Sequence, residues 1–515
     1  MIIFRNYSLC GLVLLQAIVS CSPAEPRSIP SYFQRAAVSP RTLSLFNIQS
    51  TLGPKLSAGS TIVFPSNPQF SNLTDRWNTL EPPDIELVIQ PAQESDVVTI
   101  VRYCHQNSLP FMAVNTGHGF TLTLGKFKGV QIDLKQLRGI KIADDKKTAL
   151  LQGGTINGEV VPTLWNAGYV TTTGAAECVG IVGAGLGGGH GRYEGQYGLV
   201  LDNMVHLNIV LADGSAIGVN ATSHPDLFWA MRGAGHNFGI VTSVVLNIYP
   251  ADTSTWHYHN YVWSSDKLEA VFETLNKIQD NGKAPPKLGV SYGMIHLNSS
   301  ISTTEPVLFW TFGYSGSAGS AEAILAPFNA IEAITQEIGD VPYPEIIYPQ
   351  LTSQDTDCGD GAYAVATSMT KTWNVTAERR NFELYSRNIA LYPDLAPTSL
   401  LFYEGYAVEA MQAVPSASTA YPHRDQIHLC LFQVTVTEEA NSKASAQAWA
   451  KGHWDIWTAG HPGSEPAVYV NYAVGLEYQS LEDIYGSEPW RLQKLRRLKA
   501  KYDPGNSFRY YNSFV

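Results

Sequence analysis

Residues 174 to 198 read GAAECVGIVGAGLGGGHGRYEGQYG and hold ten glycines in 25 positions. Glycine loses more conformational freedom on ordering than any other residue, so so many in one run cannot all be packing accidents. Such a run exposes successive backbone N–H groups, and those cradle a pyrophosphate without any basic side chain. Gly183, Gly185 and Gly188 satisfy the G-x-G-x-x-G spacing of a dinucleotide fingerprint, but the sequence predicts more glycine turn where that motif needs a helix. A structural glycine turn without a ligand is the other reading.

Ahead of the run, PPDIELVIQP is an extended apolar stretch ending at Pro91, and AQESDVVTIVRYCHQNSL sets Val97, Ile100, Val101 and Cys104 at helical spacing. PFMAVN follows as a strand. This strand, helix, strand unit delivers AVNTGHG to the loop after its second strand, a usual place for ligand groups on an alternating fold. Further along, VHLNIVLADGSAIGV places Asp213 and Gly214 between two alternating runs, a hairpin signal. PWRLQKLRRLKAKYDP predicts a basic helix that stops at Pro504.

At 515 residues the chain exceeds what one core sustains, so two or three domains are expected. A net charge of −11 leaves no basic field for phosphate backbones, and nucleic acid is not an expected partner. The opening MIIFRNYSLCGLVLLQAIVSCSPA has one arginine, an apolar stretch from Leu9 to Val19 and then small residues. That is the layout of a cleaved secretory signal, too short to leave a stable membrane anchor. Sequons at Asn72, Asn220, Asn298 and Asn374 fit a secreted glycoprotein. Cys104, Cys178, Cys358 and Cys430 remain in the mature chain; their spacing matches no zinc pattern and predicts no disulfide framework. GYSGS at 313 to 317 lacks the final glycine of a nucleophile elbow. His190, His206 and His236 are too widely spaced for a helical metal pair, so no metal is expected.

Taken in order, AVNTGHG, VGIVGAGLGGGHGRYEGQYGLVLDN, LADG, HPDLFWAMRGAGHNFGIVTSVVLNIYP and YVNY with YGSEPWRLQKLRRLKAKYDPGNSF resemble the berberine bridge enzyme-like family of FAD-linked oxidases. The resemblance implies an α+β fold with a discontinuous PCMH-type FAD-binding domain, as in vanillyl alcohol oxidase, and a substrate domain with an antiparallel sheet. The expected division is a signal peptide at 1–24, a lead-in at 25–81, the FAD domain at 82–252, the substrate domain at 253–460 and a closing segment at 461–515.

The resemblance also implies that His118 is bonded to the 8α carbon of FAD, and a neutral imidazole is a good nucleophile near neutral pH. Asn115, Thr116, Gly117, Gly119, Gly174, Val179, Gly180, Gly183, Ile240, Val241 and Asn471 would contact the cofactor. Many relatives add a second tether through a cysteine at the position of Ala176. Cys178 lies two residues later, so a single tether is expected, with Cys178 a small buried residue. Val179 matches a position that gates oxygen in the family, and a valine there resembles the oxidases, which use O₂ and release H₂O₂.

For proton transfer the resemblance offers His190, which stands where plant relatives carry a tyrosine, with Tyr469 and Tyr472. Tyr403, Glu404, His423 and Arg424 are further candidates from the middle domain. The partners are then a small-molecule substrate (a sugar, an alcohol or a secondary metabolite) and O₂. A flavin dehydrogenase or oxidative cyclase, a binding protein on the same scaffold, and a paired-carboxylate hydrolase stay open as alternatives, as does the oligomeric state.

Overall fold

The apolar run DIELVIQ forms strand Asp84–Gln90, which pairs in parallel with Lys128–Asp133, itself parallel to Phe111–Val114. Parallel strands need a crossover, and helix Glu94–Gln106 supplies it with Val97, Ile100, Val101 and Cys104 buried. The computed structural model describes residues 45–437, 442–475 and 479–515, so the expected signal at 1–24 lies outside the described residues. Gln49–Val515 pack as one unit. The stretch expected as a lead-in contributes directly to the first sheet. Thr61–Val63 adds a fourth strand, antiparallel to Asp84–Gln90, and Asp96 accepts hydrogen bonds from Ser57 and Ser60. A three-residue strand shows too little alternation to be read from sequence.

A second, five-stranded antiparallel sheet runs in the order Ile140–Ile142, Thr148–Gln152, Ile240–Asn247, Met204–Val210, Ala216–Asn220. Its hairpin turns at Gly214, with φ of 82°, while Asp213 accepts the Ser215 N–H. The glycine run departs from expectation: a helix, Ile181–Gly187, passes through it. Tertiary packing outweighs poor helix propensity here, because Ile181, Val182 and Leu186 are buried in the core. Glycine is needed at two of its positions. A Cβ on Gly185 would come within 2.7 Å of Val200, and one on Gly187 within 2.2 Å of Asn471.

The third sheet has seven antiparallel strands, Thr335–Val341, Trp256–Trp263, Val307–Ser315, Leu288–His296, Leu400–Tyr406, His428–Thr435 and Tyr363–Thr370 in spatial order. Helices Leu268–Gln279, Ala318–Asn329, Val375–Leu391 and Ser442–Gly460 cover one face, sharing a core with Trp310, Phe312, Leu401, Tyr403 and Phe432. Strand alternation turns Tyr292, Tyr406 and Leu429 to the other face, into the core that contains the five-stranded sheet. The closing segment joins that core. Helix Pro489–Tyr502 packs on Pro225–Ala234, and buried Lys499 binds Asp503 and the carbonyls of Asn237 and Phe508. Among the described residues, no helix is long and apolar enough to cross a membrane.

Candidate active site

A cleft runs between the first two sheets, walled by Phe111–Val114, Asn115, Gly183, His236, Ile240 and Val241, and closed by Tyr510 and Tyr511 from the chain end. Asn115 donates to the carbonyls of Gly153 and Thr155, which fixes its side chain. His236 Nε2 donates to the Gly183 carbonyl at 2.9 Å, its ring stacks on Tyr511 at 4.2 Å, and burial lowers its pKa to about 4. Asn115 Oδ1 and His236 Nδ1 are buried acceptors of cleft-lining residues, without a partner among the described residues. Gly183 has no atom within 4 Å of where a Cβ would stand. Two buried acceptors without partners on the walls of a cleft are compatible with a ligand that brings donors.

The loop after Phe111–Val114 carries Thr116 and His118. Gly117 takes φ of 77°, and a Cβ there would meet the Asp75 carbonyl at 3.0 Å. A Cβ on Gly119 would meet the Tyr511 ring at 3.0 Å, and one on Gly180 would meet Asn115 at 2.4 Å, so glycine brings the glycine run against this loop. Burial lowers the His118 pKa to about 4. Its Nε2 lies 3.1 Å from Cys178 Sγ, and Trp77 stacks at 6.1 Å. Cys178 is not the lone buried residue expected. It forms a disulfide with Cys358, 180 residues away, which local spacing gives no means of reading. Val179 is half-buried, its carbonyl accepting from the Asn157 N–H. Gly174 lies elsewhere, lining a separate cavity beside Asn157 and Arg192.

A second focus forms where the glycine run meets the closing segment. The Tyr469 hydroxyl accepts from the Gly189 N–H at 2.7 Å and from Asn471 Nδ2 at 2.6 Å. The His190 and Tyr469 rings meet at right angles with their centroids 4.8 Å apart. His190 Nδ1 is 2.8 Å from Glu194 Oε2, and Nε2 is 2.9 Å from the Tyr421 hydroxyl. Desolvation pushes the pKa of fully buried Glu194 up, against the opposing pull of His190. Burial likewise raises Tyr469, opposed by its two donors. Tyr472 fills the space between Phe120 and Tyr469, at 4.7 and 5.3 Å. Glu404 is buried on the same side of its strand as Tyr406, near enough for its charge to raise both Tyr406 and Tyr469.

Three sequence candidates fall outside this focus. Tyr403, next to Glu404, points the other way into the helix-covered core and donates to Glu378 at 2.9 Å. His423 is 3.2 Å from the Ile484 carbonyl, and Arg424 pairs with buried Asp202 at 2.7 Å. Both hold chain segments together. Glu194 and Tyr421 went unread in the sequence; the spacing of Glu194, four residues past His190, was the one available signal.

The FAD binding domain family model matches residues 85–220. The solved structure of Physcomitrella patens BBE-like 1 superposes with a TM-score of 0.76, at 20% identity, over 91% of this chain and 99% of that one. FAD-linked oxidoreductase iacH of Pestalotiopsis fici is 52% identical, covering 97% of this chain and 96% of the relative. The chain belongs to the FAD-linked oxidoreductases, and it shares its fold with a berberine bridge enzyme-like protein. A glucooligosaccharide oxidase from Acremonium strictum, with a 6-S-cysteinyl, 8α-N1-histidyl FAD, shares this PCMH-type fold at a TM-score of 0.77 and 20% identity, over 91% of this chain and 99% of that one. The cleft of this FAD-linked oxidoreductase fits FAD. Its bare acceptors match the donors of an adenine or ribose, and its glycine backbone admits a pyrophosphate.

Proposed function

We propose that this FAD-linked oxidoreductase is an oxidase that takes a hydride from a carbon bearing OH or NH and returns the electrons to O₂ as H₂O₂. FAD, when bound, supplies the hydride acceptor. Asn115, Gly183, His236, Ile240 and Val241 hold it, and His118 tethers it. A desolvated, neutral His118 on a glycine turn supports that tether, as does the histidyl FAD of the Acremonium strictum relative. Ala176 in place of the second cysteine supports a single bond, and the small Val179 supports access of O₂.

Tyr469 takes the substrate proton. The observation that carries this reading is the pair of N–H donors aimed at its oxygen. They leave the hydroxyl hydrogen to point elsewhere and stabilise the negative charge that grows as the proton departs. Because burial raises this phenol, it acts as the base only once ionised, which those two donors favour; His190 packs against its ring with its own nitrogens held by Glu194 and Tyr421. Tyr472 walls the substrate space. A sugar, an alcohol or a secondary metabolite remains the substrate class. The chain acts outside the cell, with glycans at Asn72 and Asn298. Asn220 and Asn374 have their amides engaged by His206 and the Gly460 carbonyl, so they are poorer acceptors.

In Tyr469→Phe we expect kcat to fall by about 10²–10⁴-fold with flavin content unchanged. An undiminished kcat would transfer the role to Glu404 or His190. Reduced enzyme that air reoxidises only slowly would make the protein a dehydrogenase.

A further inference from the structure

A disulfide sulfur carries no hydrogen, so in the contact between Cys178 Sγ and His118 Nε2 at 3.1 Å the ring nitrogen must be the donor. Neutral imidazole has one N–H, and placing it on Nε2 leaves the lone pair on Nδ1. We propose that the Cys178–Cys358 disulfide is a positioning group for flavin attachment: it holds His118 as the Nε2–H tautomer with a bare Nδ1, and it withholds Cys178 from becoming a second tether. This rests on the reading that His118 bonds the flavin.

The cross-link is well placed for that work. Cys178 belongs to the glycine-rich segment and Cys358 to the seven-stranded-sheet half of the chain, so the sulfur is anchored from both sides. Glu177 reinforces the junction, its N–H donating to the Thr352 carbonyl and its carboxylate accepting from the Gln354 N–H. Trp77 flanks the His118 ring. His118, Cys178 and Cys358 would suit a soft metal if the sulfurs were thiolates, but bonded to each other they offer none.

Attachment balances with O₂ as the oxidant. A bond forms between Nδ1 and the flavin methyl carbon, one C–H bond and the Nε2–H bond are lost, and the two hydrogens with their electron pair leave as H₂O₂. The alkylated ring then has no Nε2 hydrogen to donate, so the sulfur contact acts before the bond is made and not after it.

The test uses the full-length chain prepared without flavin and then given FAD. In ¹⁵N-histidine spectra, with His118→Gln to assign the signal, Nε2 should be protonated and Nδ1 bare. A proton on Nδ1 would overturn the proposal whatever becomes of the flavin. In peptide maps of the loaded enzyme, flavin should sit on the His118 peptide alone and Cys178 should be recovered linked to Cys358; a thioether from Cys178 to flavin would overturn it. The Cys178→Ala, Cys358→Ala double variant should incorporate flavin about two- to tenfold more slowly, as expected for loss of one hydrogen bond. Cys358→Ser, which keeps a sulfur at 178, should recover part of the rate. Incorporation by the double variant at the wild-type rate would overturn the proposal. Should the wild type bind FAD yet release it all on acid precipitation, the attachment reading fails and takes the purpose of the disulfide with it, while the nitrogen spectrum separately reports the tautomer.

Discussion

The tripeptide Gly-His-Gly occurs at 117–119 and again at 189–191, and the two histidines stand in different chemistry. His118 is desolvated, its pKa lowered to about 4, and it meets a disulfide sulfur. His190 lies between a buried carboxylate and a phenol. One environment keeps an imidazole neutral and nucleophilic; the other suits it to moving protons. In both places glycine lets the backbone come close, and the tertiary neighbours decide what the ring does.

The largest test of this contrast exchanges each ring. His118→Ala should lose all covalent flavin: after acid precipitation the yellow colour should move from pellet to supernatant, while FAD still binds. Because the lowered pKa keeps His118 neutral through mildly acid solution, the wild-type attachment rate should stay level from about pH 8 to 5 and fall only toward pH 4. A midpoint near 6.5 would mean that the ring is solvated. At the other loop, Glu194→Gln should retain the colour in the pellet and lower kcat by about tenfold, since it weakens the support of His190 without removing the base. Loss of flavin from that variant would erase the distinction between the loops.

A smaller effect concerns stability. Burial lowers His236 and His423 to about 4, and His428 and His453 to about 3, below the ordinary value of 6.5. Between those values the unfolded chain binds more protons than the folded one, so stability is fully present above about pH 6.5 and is lost as pH falls toward 4. Each such histidine contributes up to about 1.4 kcal/mol per pH unit in that window. Melting temperature should therefore decline already between pH 6.5 and 5, above the range where most carboxylates titrate. A flat profile there would show that these rings are wet.

Much of this arrangement was legible in the chain. Helical spacing over 97–104, the Asp213-Gly214 hairpin and the apolar run ending at Pro91 depend on neighbours in sequence, and they formed as read. The ordered motif set located the loop of His118 and the closing segment with Tyr469. What was not legible depends on partners far away. The disulfide joins positions 180 apart, the Tyr421 hydroxyl reaches His190 across 231, and the helix through Ile181–Gly187 exists because its apolar side is buried. Gly174, expected among the cofactor contacts, lines the separate cavity beside Asn157 and Arg192.

The same lesson holds at single-residue scale in strand Leu400–Tyr406, where Tyr403 and Glu404 face opposite sides of the sheet. Tyr403 donates to Glu378, a fully buried carboxyl that desolvation raises to about 7 and that this hydrogen bond pulls back down. Tyr403→Phe should leave kcat and flavin content unchanged and cost about 1.5–3 kcal/mol of stability, the expected loss for one buried bond to a charged partner. The sign with pH follows from the raised carboxyl. Its favourable contribution is full below about pH 4.5 and is lost as pH rises through the folded value near 7. Without the phenol that value moves higher, so the deficit in melting temperature should be larger at pH 8 than at pH 5. A variant equally destabilised at both would show that Glu378 does not ionise in the folded chain, and one with impaired turnover would place Tyr403 on the substrate side after all.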